Sequence, residues 1–340
     1  MSYLGLDIGG ANLKAADGRG FAALRYFPLW RDRDGLTAEL ERLLAAAPPA
    51  KTIVATMTGE LADCFATKAE GVRTIVHAMV DAAGGRRTLI YLTSGAFVAP
   101  EQAVAQPLLS AAANWHALAR FAGRYAAEGT GMLVDIGSTT SDLIPLDAGR
   151  PAAAGRTDPE RLVAGELVYT GVERSPVCAQ VRSLPWRGQD CPVAQELFAT
   201  SLDFYLLLGE LPENELSLQT ADGRPATRTC AQDRLARMIC ADKEQFDSAD
   251  ALAAARRIAL AQLELLAGAA RQVATRIGGP PRTIVTAGHG EFLAMRLIDR
   301  LGWPARVVSL SVELTPPISR CATAHALAVI ARESLEGSLD

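Results

Sequence analysis

The sequence predicts an α/β protein of two domains with a cleft between them. The chain has 340 residues, which exceeds the length that a single hydrophobic core usually supports. Strand patterns alternate with amphipathic helical patterns, as in layered α/β structure. One pattern also occurs twice: a buried strand that ends in Asp-Ile-Gly, at residues 7–9 and at residues 135–137. The predicted domains cover 1–128 and 129–319, and a C-terminal helix in 320–340 is predicted to pack back on the first domain.

Composition and charge narrow the class of protein. Hydrophobic residues make up 49% of the chain and charged residues 21%, as in ordinary globular proteins. The net charge of −4 argues against a nucleic-acid or anionic-membrane partner. No apolar run reaches the roughly 18 residues of a membrane span, and no secretory signal pattern is present. We expect a cytoplasmic protein that acts on small molecules; the sequence carries no indication of its oligomeric state.

The strand and helix patterns follow each other in a regular order. The first half predicts strands at 3–8, 13–16, 21–27, 51–56 and 88–92, and helices at 35–47, 67–83 and 108–128. The second half begins again with a strand at 132 and a hairpin around 147–150. It then predicts helices at 193–208, 232–239, 249–278 and 321–332, a strand, glycine turn and helix start at 282–293, and a strand at 307–308.

The two turns after the repeated strands are candidate phosphate-binding sites. Glycines let the backbone approach a ligand closely, backbone amides can point at one anion, and hydroxyl groups add donors. A lysine in the first turn could supply a further positive charge. The alternative is a polar hairpin with no ligand. The candidate phosphate-binding residues are Gly9, Gly10, Asn12, Lys14, Gly137, Ser138, Thr139 and Thr140.

The two repeated aspartates are the candidate catalytic residues. Asp7 and Asp135 stand at the ends of similar strands and could face each other across the cleft, where either could hold Mg²⁺ or accept a proton. An aspartate before glycine can also simply cap a turn, but the repetition favours a functional role. Asp142 lies among apolar residues, where a carboxylate is costly unless it is paired or binds metal. It is therefore a third candidate metal ligand.

A third glycine turn precedes a predicted helix. It comprises Gly288, His289, Gly290 and Glu291, and a helix N-terminus can receive a phosphate or another polar group. We predict that this turn binds a nucleotide or part of a substrate. A requirement for ATP stays open at this stage.

The order of the three turns resembles the phosphate-one, phosphate-two and adenosine loops of the superfamily that contains actin, sugar kinases, acetate kinase and heat-shock ATPases. That resemblance implies a two-domain actin-like, ribonuclease H-like fold with an interdomain cleft. A sharper resemblance covers nearly the whole chain and points to the hydantoinase A/oxoprolinase-related proteins of tetrahydromethanopterin-linked one-carbon transfer. It rests on DIGGANLK at 7–14, MTGELAD at 57–63, SAAANW at 110–115, GELVYTGV at 165–172 and DFYLLLG at 203–209.

The resemblance implies a transferase of methanofuran or methylofuran biosynthesis. Such an enzyme joins an (aminomethylfuranyl)methyl diphosphate to the phenol oxygen of glutamyl-tyramine, or of a related tyrosine derivative, and releases pyrophosphate. The implied cofactor is Mg²⁺, and the implied partners are the small-molecule diphosphate and the phenolic amine. Two other hypotheses remain at this stage. One is an ATP-dependent hydantoinase/oxoprolinase-like hydrolase or small-molecule kinase, and the other is a nucleotide-gated interaction protein.

Overall fold

A computed structural model describes residues 2–336. Residue 1 and residues 337–340, the end of the predicted C-terminal helix, lie outside the described residues. The first half forms a sheet in the order β3-β2-β1-β4-β5-β6. β1, β2 and β3 are antiparallel neighbours, whereas β4 runs parallel to β1 and β5 parallel to β4. The bounds are β1 Tyr3–Ile8, β2 Asn12–Ala16, β3 Ala22–Tyr26, β4 Thr52–Met57, β5 Arg87–Tyr91 and β6 Phe97–Val98.

The second half repeats this arrangement. Its sheet has the order β10-β8-β7-β13-β14, and β9 pairs with β8. β7 is antiparallel to β8 and parallel to β13, as β1 is antiparallel to β2 and parallel to β4. The bounds are β7 Thr130–Ile136, β8 Ser141–Asp147, β9 Arg150–Pro151, β10 Leu167–Val168, β13 Thr283–Ala287 and β14 Arg306–Ser309, with a separate hairpin of β11 Ser183–Trp186 and β12 Gln189–Pro192. The repeated strand order confirms the predicted two-sheet, actin-like fold.

Helices cover the faces of both sheets. Those of the first half are α1 Leu36–Ala45, α2 Lys68–Ala83, α3 Pro100–Ala105, α4 Pro107–Ser110 and α5 Asn114–Ala122. Those of the second half are α6 Asp158–Ala164, α7 Val177–Gln180, α8 Ser201–Leu208, α9 Arg228–Arg237, α10 Ser248–Arg276, α11 Glu291–Leu301, α12 Leu310–Leu314, α13 Pro316–Ser319 and α14 Ala322–Glu336. Within residues 2–336, none of these helices combines the length and apolar character that crossing a membrane requires.

Two helices join the halves. The C-terminal helix α14 packs against β1, β2 and β4 of the first sheet and against α5. Trp115 and Leu118 of α5 share a buried cluster with Leu133 and Ile144 of the second sheet. Burial of these apolar side chains stabilises the contact between the halves. Helices α14 and α5 therefore close one side of the cleft, and the ends of β1 and β7 meet beside them.

The helix predicted over 108–128 is wrong. The Ser110 hydroxyl donates to the carbonyl oxygens of Ala103 and Gln106, at 2.9 and 3.1 Å, and the chain then becomes extended where Ala111 bridges to Met57. Ala112 has a φ of 46°, which ends helical geometry there. The break directs the start of α5 toward the cleft.

The helix predicted over 193–208 is also too long. The Thr200 N–H donates to the Asp203 carboxylate at 2.8 Å, and this N-terminal capping contact sets the helix start at Ser201. Residues 193–200 are instead irregular and follow strand β12.

Candidate active site

The first two predicted turns lie on opposite walls of one cavity of about 260 Å³. Each is closed by the same hydrogen bond: the Gly9 N–H donates to the Asn12 carbonyl at 2.9 Å, and the Gly137 N–H donates to the Thr140 carbonyl at 2.9 Å. These two amides are therefore used by the protein and are not free for a phosphate. The cavity lining includes Asp7, Gly9, Gly10, Asn12, Lys14, Asp135, Gly137, Ser138, Thr139, Thr140 and Asp142.

Other amides in the turns remain free. In the described part of the chain, the N–H groups of Gly10, Ala11, Ser138 and Thr139 have no protein acceptor. A Cβ at Gly10 would meet no atom within 4 Å, so the first turn is open on the cavity side. Unpaired amides next to open space are the donors that an anion needs.

A third segment supports the second turn from behind. A Cβ at Gly171 would lie 2.5 Å from the Gly137 carbonyl oxygen and 2.6 Å from the Thr139 nitrogen, so only glycine allows this contact. The Arg174 N–H donates to the Ser138 carbonyl at 3.0 Å. This bond places Arg174 at the edge of the cavity.

Lys14 lies between the two aspartates. Its ammonium is 3.4 Å from Asp7 Oδ2. Burial lowers the pKa of Lys14, but the carboxylates of Asp7 and Asp135 outweigh that effect, and the net pKa is raised. Lys14 is therefore charged, and it lines the cavity between the two turns. Asp7 is itself buried, and its Oδ1 atom has no hydrogen-bond partner within residues 2–336.

Asp135 is in a different electrostatic state. Burial, with smaller contributions from the carboxylates of Asp142 and Asp7, raises its pKa to about 7 against the opposing effect of Lys14. A carboxyl group with a pKa near neutrality can accept a proton at neutral pH more readily than an ordinary aspartate.

Asp142 is paired with an arginine. It is 5% exposed, and its carboxylate is bonded to the buried guanidinium of Arg161, which also lies 4.3 Å from the Trp115 ring. The charge that was assigned to a metal is thus balanced by arginine. Within residues 2–336, no group of three or more His, Cys, Asp or Glu side chains is arranged to hold a metal ion. The metal-binding role of Asp7, Asp135 and Asp142 stays a prediction.

The third predicted turn lies directly behind Asp135. Gly288 has a φ of 91°, and a Cβ there would lie 2.4 Å from Asp135 Oδ1. Gly288 and His289 line a second cavity of about 370 Å³, together with Tyr26, Leu118 and Arg320. His289 Nε2 is 3.0 Å from the Glu173 carboxylate.

The remaining two residues of this turn have local contacts. The Glu291 carboxylate accepts a hydrogen bond from the Thr286 hydroxyl at 2.5 Å. A Cβ at Gly290 would lie 2.6 Å from side-chain atoms of Ile136 and Val172. These contacts position the turn, and the ligand-binding role of Gly290 and Glu291 stays a prediction.

Sequence reasoning missed a group of residues on the other side of the turns. They surround a third cavity of about 340 Å³, which also reaches Gly10, Thr140 and Asp142. Thr58 and Glu60 follow β4, the parallel neighbour of β1, and the carboxyl ends of parallel strands commonly carry functional side chains. The position after a parallel strand could have identified Thr58 and Glu60, whereas the loop residues Trp30 and Arg174 carry no comparable pattern. The missed residues are Trp30, Thr58, Glu60, Asn114, Tyr169 and Arg174.

Comparison with known proteins agrees with this geometry. The family described as hydantoinase/oxoprolinase matches residues 51–333. The chain belongs to the hydantoinase/oxoprolinase family. A relative from Methanocaldococcus jannaschii is 31% identical over 99% of each chain. Its name describes a synthase of a furan-2-yl methanamine that carries a phenoxymethyl group with a γ-glutamylaminoethyl substituent. A synthase of the same name from Methanococcus vannielii is 26% identical over 62% of this chain and 94% of its own.

A solved structure extends the comparison of folds. Nucleotide-free acetone carboxylase matches this family member with a TM-score of 0.52 at 15% identity, over 93% of this chain and 51% of that one. This likeness concerns the fold alone. The sequence matches confirm the predicted family relationship, and they support a transferase of methanofuran biosynthesis, whose chemistry is taken up next.

Proposed function

We propose that this protein joins (5-aminomethylfuran-3-yl)methyl diphosphate to the phenol oxygen of a tyramine-type acceptor, with release of pyrophosphate. The acceptor is glutamyl-tyramine or a related tyrosine derivative. The observation that carries the proposal is the cavity in which two anion-binding turns, Lys14 and Asp135 face each other. The names of the two synthases are consistent with it, since their product contains a phenoxymethyl ether on a furan-2-yl methanamine.

The diphosphate fits between the two turns. The free amides of Gly10 and Ser138 on opposite walls can each donate to it. Lys14 supplies a positive charge, and Arg174 has no acidic partner in the described part of the chain. Hydrogen bonds from charged donors are the stronger ones. Together these groups stabilise the negative charge that grows on the leaving diphosphate.

The reaction exchanges one carbon–oxygen bond for another. The bond between the furanylmethyl carbon and the diphosphate oxygen breaks, and its electron pair leaves with pyrophosphate. A bond forms between the phenol oxygen and the same carbon. The phenol proton, with an ordinary pKa of about 10, passes to the Asp135 carboxylate. The pKa of about 7 at Asp135 reduces the mismatch between acid and base and so favours the transfer.

The residues of the cavity could hold Mg²⁺ together with the diphosphate. Mg²⁺ is usually held by one or two carboxylates together with phosphate oxygens and water. The unpaired Oδ1 of the buried Asp7 would be one such ligand atom, while Asp135 on the same cavity stays the proposed base. When bound, the ion would offset part of the diphosphate charge.

An ATP-dependent hydrolase or kinase is the second candidate function. The specific observation in its favour is the cavity lined by Gly288 and His289, which adjoins the phosphate site through Asn12, Asp135 and Ser138. In this case the two turns would hold the phosphates of ATP, and the third turn would lie beside its nucleoside.

One assay separates the two functions. The purified protein is incubated with Mg²⁺, the furan diphosphate and glutamyl-tyramine, with and without ATP, while pyrophosphate and the ether product are quantified. We expect equal amounts of both products without ATP and no pyrophosphate when the phenol is omitted. A strict dependence on ATP would exclude the proposed transfer and favour the second function.

A further inference from the structure

Glu60 is a buried carboxylate that the proposed reaction does not yet use. It is 2% exposed, and its Oε2 atom has no hydrogen-bond partner within residues 2–336. It lines the third cavity, of about 340 Å³, on the side of the turns away from His289. The carboxyl group has backbone contacts to Glu60 itself and to Ala112, but a buried charge without a cationic partner is costly. Its presence therefore calls for a ligand that compensates it.

The backbone holds Glu60 firmly in place. The N–H groups of Thr58 and Gly59 donate to the Ile8 carbonyl at 2.9 and 3.1 Å, which ties the segment to the end of β1. A Cβ at Gly71 would lie 2.2 Å from the Glu60 carbonyl oxygen, so helix α2 presses directly on this segment. Glu60 therefore occupies one position relative to the phosphate turns.

Two of the positive groups near Glu60 are paired with other carboxylates. Lys68 is paired with Asp158 at 2.8 Å, and Arg161 is paired with Asp142. The guanidinium of Arg174 lies 4.9 Å from the centre of the Trp30 ring. Burial raises the pKa of Glu60 to about 7; Lys68 lowers it slightly, and Asp158 raises it slightly. Within residues 2–336 no cation of the protein is paired with Glu60, so an ammonium group is a complementary ligand for its ionised form.

The walls of the same chamber suit a flat ring. Trp30 and Tyr169 line it, and the cavity is continuous with the phosphate site because Gly10, Thr140 and Arg174 border both. Aromatic side chains bind flat rings and cations through their faces. A furan with an amine on one side and a diphosphate on the other has its groups in the same order as Glu60, the aromatic side chains and the turns.

We propose that Glu60 anchors a subsite for the primary ammonium group of the furan substrate and thereby selects amine-bearing substrates. This inference rests on the proposed function, whose substrate it specifies. Glu60 binds the ammonium, Trp30 and Tyr169 flank the ring, and the diphosphate lies between the turns. Glu60 acts in recognition and takes no part in proton transfer from the phenol.

The test compares two substrates and two variants. The substrates are (5-aminomethylfuran-3-yl)methyl diphosphate and its 5-methyl analogue, which lacks the amine. Glu60→Gln should raise KM for the amine substrate about 30-fold or more, the effect of removing one partner of a buried charged pair, and leave kcat/KM for the methyl analogue within about twofold. Asp81→Asn, an exposed carboxylate on α2, is the matched control and should change neither value. An equal loss with both substrates would overturn the proposal.

A binding measurement keeps this inference separate from the proposed function. The probes are (5-aminomethylfuran-3-yl)methanol and (5-methylfuran-3-yl)methanol, each followed by NMR with pyrophosphate present. Wild type should bind the amine probe more tightly, and Glu60→Gln should abolish that preference. If Glu60→Gln does not fold, Glu60→Met serves, since it also removes the carboxylate. Lack of a preference in wild type would refute the subsite even if pyrophosphate is released, whereas a preference without turnover would refute only the proposed transfer.

Discussion

The two turns that follow β1 and β7 are closed by the same hydrogen bond but have opposite electrostatics. Asp7 is the cross-strand partner of Lys14, and Asp135 is the cross-strand partner of Asp142. The same register therefore places a cation beside the first aspartate and a second carboxylate beside the other. Lys14 contacts Asp7 at 3.4 Å, whereas Asp142 helps to raise the pKa of Asp135 to about 7.

This difference indicates that the aspartates of the two similar turns can have different roles. Two acids whose environments differ can take different roles in one reaction. We infer that Asp7 orders Lys14 and the diphosphate with its metal, and that Asp135 accepts the phenol proton. This division of roles depends on one pair of equivalent positions, 14 and 142.

The largest expected effect comes from Asp135→Asn. Loss of the proton acceptor should lower kcat by about 10²–10⁴-fold, with little change in KM for the diphosphate. A more acidic fluorinated phenol should recover part of the rate, because it needs less help from a base.

Thermal unfolding is the control for Asp135→Asn. The pKa of Asp135 is raised above its ordinary value in the folded protein, so the stability of wild type relative to the variant falls as pH rises from about 4 through 7. An active variant, or one whose lost activity follows loss of folded protein, would contradict the assignment of Asp135 as base.

Arg161→Met tests the other side of the second pair. It leaves Asp142 buried without a cation, which should lower the free energy of unfolding by about 3–5 kcal/mol. Arg161→Met combined with Asp142→Leu should recover most of that loss, because no buried charge remains. Denaturant unfolding measures both variants, with the exposed Arg156→Met as control. A single variant as stable as wild type would show that the pair is not needed.

Lys14→Met should shift the pH dependence of kcat. Asp135 must be ionised to act as base, so activity rises with pH through a pKa near 7. Because Lys14 lowers that pKa, its removal should move the acidic limb to higher pH, and the rate loss should be greater at pH 6 than at pH 8. The exposed Lys51→Met is the control. An unshifted limb with a uniformly lower rate would leave Lys14 only a phosphate-binding role.

Gly10→Ala should have the smallest effect. The added methyl group meets no protein atom within 4 Å, so stability should be unchanged. It projects beside the free amide, where it should raise KM for the diphosphate about tenfold, as one methyl group can in a binding pocket. Gly20→Ala is the matched control, since that position is equally open but lies in the β2–β3 hairpin. Equal KM values for the two variants would place the diphosphate elsewhere.

Much of this architecture could be predicted because it is local. The strand repeat, the turns after it and the cap at Thr67, whose side chain accepts from the Glu70 N–H, are written in short patterns. The break before α5 could not be predicted, since it depends on the bridge of Ala111 to Met57. The pairing of Asp142 with Arg161 likewise depends on tertiary packing. Arg174 and Trp30 come from loops whose sequences carry no periodic signal.

The most direct test follows the phenol oxygen. Glutamyl-tyramine labelled with ¹⁸O at the phenol is converted in a single turnover with Mg²⁺ and without ATP, and mass spectrometry locates the label. Attack of the phenol at the furanylmethyl carbon predicts that all ¹⁸O is in the ether and none in pyrophosphate. Label in a phosphate product, or no product until ATP is added, would contradict alkyl transfer between the two turns.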